Sequence, residues 1–318
     1  MKNLPPKLAL VVPCYNEEEV LKYTFDKLIT VIKYLIDTQK ISKDSFIVFI
    51  DDGSKDKSWK IILDESKTNN FILGLKLSKN EGHQSALIAG MEYVKNKCDC
   101  LVSIDADLQQ DENAIERFVK KYLEGSEIVL GIRNSRESDS YFKRHSALLF
   151  YNLMQLMGVD IVKNHADYRL LSNRANCAIL EYKEINLFLR GLIPLVGFKT
   201  EYIYFDVKKR FAGKSKYTLF KMLSFSIDGI TSFSIIPLRI VSLVGFLVFM
   251  LSFLMGMYIF IISIFTEQAL PGWASVVLPI YFLGGIQIFS VGILGEYIGR
   301  IYREVKRRPR YFIEEEVK

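Results

Sequence analysis

Two acidic pairs at the ends of apolar runs are the residues in this chain best suited to chemistry. Asp105-Ala106-Asp107 follows the run Cys100–Ile104. On an extended segment residues i and i+2 point to one side, so both carboxylates can face one pocket. Their hard oxygens suit Mg²⁺ or Mn²⁺, and a cation there would offset the negative charge left on a departing diphosphate. A D-x-D triplet is common in loops; what singles this one out is its place behind an apolar strand and ahead of Leu108-Gln109. Asp51-Asp52-Gly53-Ser54 closes a second apolar run, Phe46–Ile50. A carboxylate there can accept hydrogen bonds from a base or ribose, and the glycine permits a tight turn, although a plain Asx turn uses the same residues. Pro13-Cys14-Tyr15-Asn16-Glu17-Glu18 ends the first run and opens a helical pattern, whose first amides favour a ligand or a capping carboxylate.

Cations supply the complementary half. Arg133 follows the run Ile128–Ile132, with Arg136, Lys143 and Arg144 behind it, and Arg210-x-x-Gly213-x-Ser215-Lys216 brings two bases and a hydroxyl to a glycine loop. Such groups hold phosphate well, and solvated surface charge is the plainer alternative. His83, His145 and His165 share no metal or triad spacing with Ser or Cys; His83 reads as a loop residue near the acidic turns and the other two as structural. No G-x-S-x-G and no Walker loop occur, which weighs against hydrolase and kinase chemistry. Cys14, Cys98, Cys100 and Cys177 form no C-x-x-C, so reduced thiols are expected.

The elements that must position these groups are legible as an alternation. Apolar runs at 8–13, 46–50, 71–77, 100–105 and 128–132 read as strands, and helical spacing is visible at 17–36, 56–68, 83–97 and 111–124. That alternation predicts a doubly wound α/β sheet with ligands at the carboxyl ends of the strands, where every acidic cluster falls. An amphipathic helix is expected at 141–157, a further strand at 202–207, and at 217–236 a helix suited either to a membrane surface or to ordinary packing.

The C-terminal third has a different composition. Residues 240–298 carry only Glu267 and Glu296 as charges, within a chain of 318 residues whose formal net charge is +6. Ile240–Phe265 and Ala274–Gly295 are each uncharged and long enough, at about 1.5 Å per residue, to cross a hydrocarbon core of about 30 Å. Bases crowd both flanks, Lys208 to Lys221 before and Arg300 to Arg310 after, so anionic lipid is the expected partner rather than nucleic acid. The loop between the spans has no Lys or Arg, which puts both termini in the cytoplasm in an inner (plasma) membrane protein. Leu8–Val12 is too short for a signal-peptide core, and no leader is expected. The organisation read from this is a catalytic domain at 1–215, an interface helix region at 216–239, two spans within 240–298 and a basic tail at 299–318.

With these pieces in order, the sequence resembles the bacterial polyisoprenyl-phosphate glycosyltransferases of glycosyltransferase family two, relatives of dolichyl-phosphate mannose synthase. The matching segments are VVPCYNEEEVL, IDDGSKDKSW, LSKNEGHQSALIAGMEYV, IDADLQQDE, ADYRLLS, RGLIPLVGF, RFAGKSKY, DGITSFSIIPLR and GEYIGRIYREVKRRP, spread over essentially the whole chain. The resemblance implies a GT-A fold and inverting transfer of a hexose, such as glucose or N-acetylglucosamine, from a UDP-sugar to polyprenyl (undecaprenyl) phosphate, with Mg²⁺ or Mn²⁺. By motif, Pro13, Tyr15, Glu17 and Asp52 would hold the nucleotide. Asp105 would meet the donor, and Asp107 with Gln109 would ligate the metal. Arg133, Arg144, Arg210, Ser215 and Lys216 would handle phosphates. Asp167 falls at a position proposed as catalytic, where an orienting role is as open as a base role. One departure is that Gln110-Asp111-Glu112-Asn113 stands where the family usually has Asp-Pro-Pro-Glu, leaving the role of the acidic residue there in question. A homo-oligomer is expected. Two other readings compete, a processive polysaccharide synthase and a non-catalytic nucleotide-sugar sensor. The first would need a Gln-x-x-Arg-Trp motif, which neither Trp59 nor Trp273 supplies, and the second loss of the metal carboxylates or the basic loop.

Overall fold

The structure, a computed structural model, describes residues 4–134, 165–184, 189–208, 236–265 and 273–318. Its first compact unit comprises Met1–Ser224 with Pro309–Lys318, and its second Phe225–Arg308. The first unit is built on strands β1 (Leu8–Cys14), β2 (Phe46–Asp51), β3 (Ile72–Leu77), β4 (Cys100–Ser103), β5 (Ile128–Arg133), β6 (His165–Ser172), β7 (Thr200–Phe205) and β8 (Ile313–Val317). Helices α1 (Leu21–Asp37), α2 (Ser58–Thr68), α3 (His83–Val94), α4 (Ala114–Leu123), α5 (Asn173–Leu180) and α6 (Leu189–Leu195) accompany them.

The strands form one sheet in the order β7-β5-β6-β4-β1-β2-β3-β8. β4, β1, β2 and β3 run parallel, whereas β6 is antiparallel to both its neighbours and β8 is antiparallel to β3. Every residue of β1 and β2 is buried, which is why their sequences are near-continuous apolar runs rather than alternations. α1 buries Leu21, Phe25, Leu28, Ile32 and Leu35 at helical spacing, and Phe25 meets Phe49 of β2 edge to face with ring centroids 4.7 Å apart. α3 lies close on β1 and β2 because Gly90 has no side chain; a Cβ there would come within 2.4 Å of Val11 Cγ1 and 2.7 Å of Ile50 Cδ1.

α1 starts at Leu21 rather than at Glu17, because Asn16 takes a left-handed φ of 52° and the N–H groups of Val20 and Leu21 both close a turn on the Glu17 carbonyl. β6 carries His165, Asp167 and Arg169 within a central strand and escapes a hydrophobicity pattern. β8, expected as part of a basic tail, is an edge strand with three consecutive glutamates. Its side chains serve specific partners: Glu315 accepts from Trp59 Nε1 at 2.8 Å, Glu316 from the Tyr93 hydroxyl at 2.9 Å, and Glu314 pairs with Lys76 at 3.0 Å.

The second unit holds α7 (Ile236–Phe265) and α8 (Trp273–Lys306). Among the described residues, Phe282–Lys306 is the one helical stretch both long and apolar enough to cross a membrane, with a mean hydropathy of 1.4. Large apolar side chains stand exposed on both helices, including Phe246, Leu247 and Leu251 on α7 and Phe282, Ile288 and Phe289 on α8. Contiguous surface of that kind calls for an apolar neighbour. The expected helix at 141–157, the residues Arg144, Arg210, Ser215 and Lys216, and most of the interface region 216–239 lie outside the described residues.

Candidate active site

The loops after β1 and β2 are laced together. Asn16 N–H donates to Ser54 Oγ at 2.9 Å, Glu17 N–H to Ser58 Oγ at 2.8 Å, and Lys55 N–H to Asn16 Oδ1 at 2.8 Å. The amides at 16–18, expected to favour a ligand or a capping carboxylate, are taken up by this lacing, with the Asp56 carboxylate accepting from Glu18 N–H. Gly53 sits at φ +64°, and a Cβ there would press within 2.4 Å of the Lys79 carbonyl carbon. The acidic turn thus lies directly against the loop entering α3. Asp52 holds that loop, accepting from Glu81 N–H at 2.8 Å and Gly82 N–H at 3.0 Å, while Asp51 accepts from Ser54 N–H. Burial pushes both carboxyls above the usual carboxylate range, and at Asp52 the two amides oppose it. A carboxylate has about four lone-pair sites, so Asp52 keeps acceptor capacity beyond these two amides.

The D-x-D turn begins two residues beyond the end of β4, which pairs with β1. Leu108 within it adopts φ 46°, a conformation that costs a leucine energy and recurs at functional sites, and its buried side chain anchors the turn. Gln110 holds Asp105: its Oε1 accepts from the Asp105 N–H at 2.8 Å and its Nε2 donates to Oδ2. Asp105 Oδ1 is buried with no hydrogen-bond partner, and burial pushes this carboxyl upward. Asp107 accepts from Gln109 N–H at 3.2 Å. Mg²⁺ is commonly held by one or two carboxylates together with substrate phosphates and water. Among the described residues no three His, Cys, Asp or Glu side chains gather into a metal cage.

β6 brings a third acid to this point. Ser103 pairs with Arg169 in the ladder and its Oγ donates to the Asp167 carbonyl at 3.0 Å. Asp167 is gripped by two guanidinium groups: Arg190 Nη2 donates to Oδ2 at 2.7 Å and its Nε to Oδ1 at 3.3 Å, while Arg169 Nη2 donates to Oδ1. Burial alone would push Asp167 upward, but Arg190 and Arg169 overcome it and hold the carboxyl well below the usual range. His83, the first residue of α3 rather than a loop residue, puts Nε2 3.7 Å from Asp105 Oδ1 and 4.0 Å from Asp167 Oδ2. His165 is buried, which together with Arg169 keeps it neutral.

The residues after the turn have a visible task. Lys208 Nζ meets Asp111 at 2.9 Å and Glu112 at 2.6 Å, and its N–H donates to the Gln109 carbonyl at 2.8 Å. Asp111 and Glu112 thereby tie the D-x-D turn to the start of the basic segment. Arg133 ends β5, beside β6 in the sheet, and is half-buried. Gln110, Arg169 and Arg190 were given no role of their own from the sequence, where they stand only inside matching segments; Arg169 lies two residues from Asp167 on one strand face.

A mixed α/β sheet that brings an acidic turn, a D-x-D turn and an Asp167–arginine cluster to one end of its central strands has the architecture of a GT-A fold. Residues 9–180 match the profile of Glycosyl transferase family 2, and residues 236–301 that of the GtrB C-terminal hairpin. The chain is 51% identical over 314 residues to an uncharacterized glycosyltransferase, YkoT, of Bacillus subtilis strain 168, covering 99% of this chain and 93% of that one. It is 37% identical over 309 residues to the bactoprenol glucosyl transferase of Shigella phage SfX, covering 96% and 98%. A prophage bactoprenol glucosyl transferase homolog of Escherichia coli K12 is 36% identical over 308 residues, covering 96% and 98%. The chain belongs to glycosyltransferase family 2, within its polyprenyl-phosphate glycosyltransferases.

Proposed function

We propose that this enzyme transfers a hexose, glucose or N-acetylglucosamine, from a UDP-sugar to undecaprenyl phosphate with inversion, supplying a lipid-linked sugar for cell-envelope glycans. The observation that carries this reading is the gathering of Asp52, Asp105, Asp107 and the Asp167 cluster at one end of the central strands, in a chain several of whose relatives, matched over nearly their whole length, are named bactoprenol glucosyl transferases.

On this reading Pro13, Tyr15, Glu17 and Asp52 line the nucleotide end. Mg²⁺ or Mn²⁺, held by Asp107 and Gln109, would neutralise charge on the departing diphosphate. Asp105, braced by Gln110, faces the donor sugar. A lipid monophosphate has a second pKa of about 6, so at neutral pH it is already a nucleophilic dianion and needs positioning more than deprotonation. Arg133, Arg144, Arg210, Ser215 and Lys216 are the chain's phosphate-binding candidates, shared between donor and acceptor.

The membrane arrangement has physical support of its own. β8 follows α8 in the chain yet pairs with β3, so the residues before and after the hydrophobic helices share one sheet. They therefore share one side of any bilayer, and a chain that returns to its starting side crosses an even number of times. That favours two spans over one, and the flanking bases favour a cytoplasmic catalytic domain with both termini beside it in the inner membrane. A homo-oligomer would let several such hairpins pack together. The reading is tested by incubating purified protein with undecaprenyl phosphate, Mn²⁺ and a panel of UDP-sugars. Lipid-linked product from one hexose donor supports it, and none from any donor overturns it.

A further inference from the structure

We infer that the C-terminal strand β8 positions the nucleotide end of this site, by fixing both ends of the segment that runs past Asp52, Asp105 and Asp167. The inference rests on the function proposed above, in which Asp52 meets the nucleotide, and adds a positioning segment to it. Glutamate is a poor strand former, so three in a row on an edge strand need partners to hold them. Along β3, Glu314 pairs with Lys76 at 3.0 Å, and the Phe312 carbonyl accepts from Ser78 N–H at 2.9 Å. Two further contacts reach α3. Glu316 accepts from the Tyr93 hydroxyl at 2.9 Å, and the Tyr311 hydroxyl, just ahead of β8, donates to Glu92. Arg310 fixes the approach to the strand, its Nη2 donating to the Tyr182 carbonyl at 2.8 Å.

Ser78 is where β3 gives way to the loop entering α3. Only Lys79 and Asn80 separate it from Glu81, whose N–H, with that of Gly82, is held by Asp52. Three peptide units of at most about 3.6 Å each join the two anchors, so the loop has little slack to absorb a shift of Ser78. The Gly53 turn presses on the same loop at Lys79. His83 then opens α3 and puts Nε2 3.7 Å from Asp105 Oδ1 and 4.0 Å from Asp167 Oδ2. At the far end of α3, Glu92 and Tyr93 carry the contacts to Tyr311 and Glu316. The segment 78–93 is thus pinned by one C-terminal strap at its start and at its finish. A slip of α3 along its axis would move His83 and the Gly82 amide together, and the two tyrosine–glutamate contacts oppose it. Placement to within about 0.5 Å is what a preorganised site requires.

The test uses the full-length protein in detergent and reads UDP affinity in Mn²⁺ by isothermal titration, beside hydrogen exchange at residues 79–83. Tyr311→Phe with Glu316→Ala removes both contacts to α3 and leaves the β3–β8 ladder in place. This double variant should weaken UDP binding about fivefold, within the range of coupling between contacting groups, and exchange at 79–83 should quicken. Turnover should split the same way, with a raised KM for the UDP-sugar while kcat and the KM for undecaprenyl phosphate stay within about twofold. Tyr311→Phe with Glu316→Gln, which keeps an acceptor for Tyr93, should recover part of the loss. Ser172→Ala is the stability control. It removes the side chain that accepts from Ala175 N–H, at a residue paired with the start of β4 rather than its end, and should lower Tm with UDP affinity unchanged. Ending the chain after Arg310 should weaken UDP binding further, and where that chain does not fold the double variant decides. Unchanged UDP affinity in the double variant, or an equal loss in Ser172→Ala, overturns the inference alone. Absence of UDP binding to the wild type in Mn²⁺ removes the donor reading, and the inference with it.

Discussion

Consider Asp167→Asn as a perturbation of stability. The substitution keeps the shape and removes the charge that two arginines share. Arg190 is 31% exposed and can turn toward water, but Arg169 is 1% exposed and its Nε and Nη1 already have no hydrogen-bond partner. The variant therefore strands a buried guanidinium, a change that costs about 3–5 kcal/mol in comparable cases. In a domain of this size about 2–4 °C of Tm accompanies each kcal/mol, so a fall of about 6–20 °C is expected. The same logic makes a sharper claim about a double variant. Asp167→Asn/Arg169→Met removes the stranded charge and fills its volume with apolar atoms, so it should be at least about 2 kcal/mol more stable than Asp167→Asn alone. The wild type should also lose stability on acidification. Because the folded Asp167 carboxyl is depressed, its contribution is present above the unfolded value of about 3.9 and is lost as pH falls through the folded one, a dependence absent from Asp167→Asn. Thermal unfolding in detergent, followed by circular dichroism across pH, reads all three. A double variant no more stable than the single one would refute the stranded-charge argument.

Asp107→Asn should unfold like the wild type yet lose most turnover, and EDTA should do the same to the wild type until Mn²⁺ is restored; full activity in EDTA removes the metal assignment. Ending the chain after Arg310 deletes β8, exposing the β3 edge and stranding Trp59, Tyr93 and Lys76, so Tm should fall and light scattering on heating should rise. Lys208→Met severs the D-x-D turn from the basic segment, so the Mn²⁺ concentration for half-maximal turnover should rise several-fold while Lys208→Arg keeps more of the wild-type behaviour. A reporter fused after Lys318 should behave as cytoplasmic, and an extracytoplasmic signal would contradict the orientation drawn from the flanking bases.

The parallel half of the sheet was legible because β1 and β2 are covered on both faces, and full burial writes itself as runs such as LALVV and FIVFI. The acidic turns were legible for the complementary reason, being polar clusters that stop those runs. β6 was not, since a central strand whose inner residues form an ion cluster loses the apolar signature that marks its neighbours. Nor was β8, whose glutamates look like a solvated tail until their partners on α2, β3 and α3 are known. Asp167 was visible as a motif residue, whereas its contacts with Arg169, on its own strand, and Arg190, more than twenty residues on, could not be read from spacing. The brace of Gln110 on Asp105 left no mark in the sequence, since it closes across a turn in which Leu108 is left-handed.

The central claim concerns which bond breaks. A purified preparation supplied with undecaprenyl phosphate and a radiolabelled UDP-hexose should release UDP one-for-one with a lipid carrying a single phosphate between polyprenol and sugar, as read by mass spectrometry. Release of UMP with a diphosphate-linked lipid, or sugar transfer that proceeds without the polyprenyl phosphate, would contradict it.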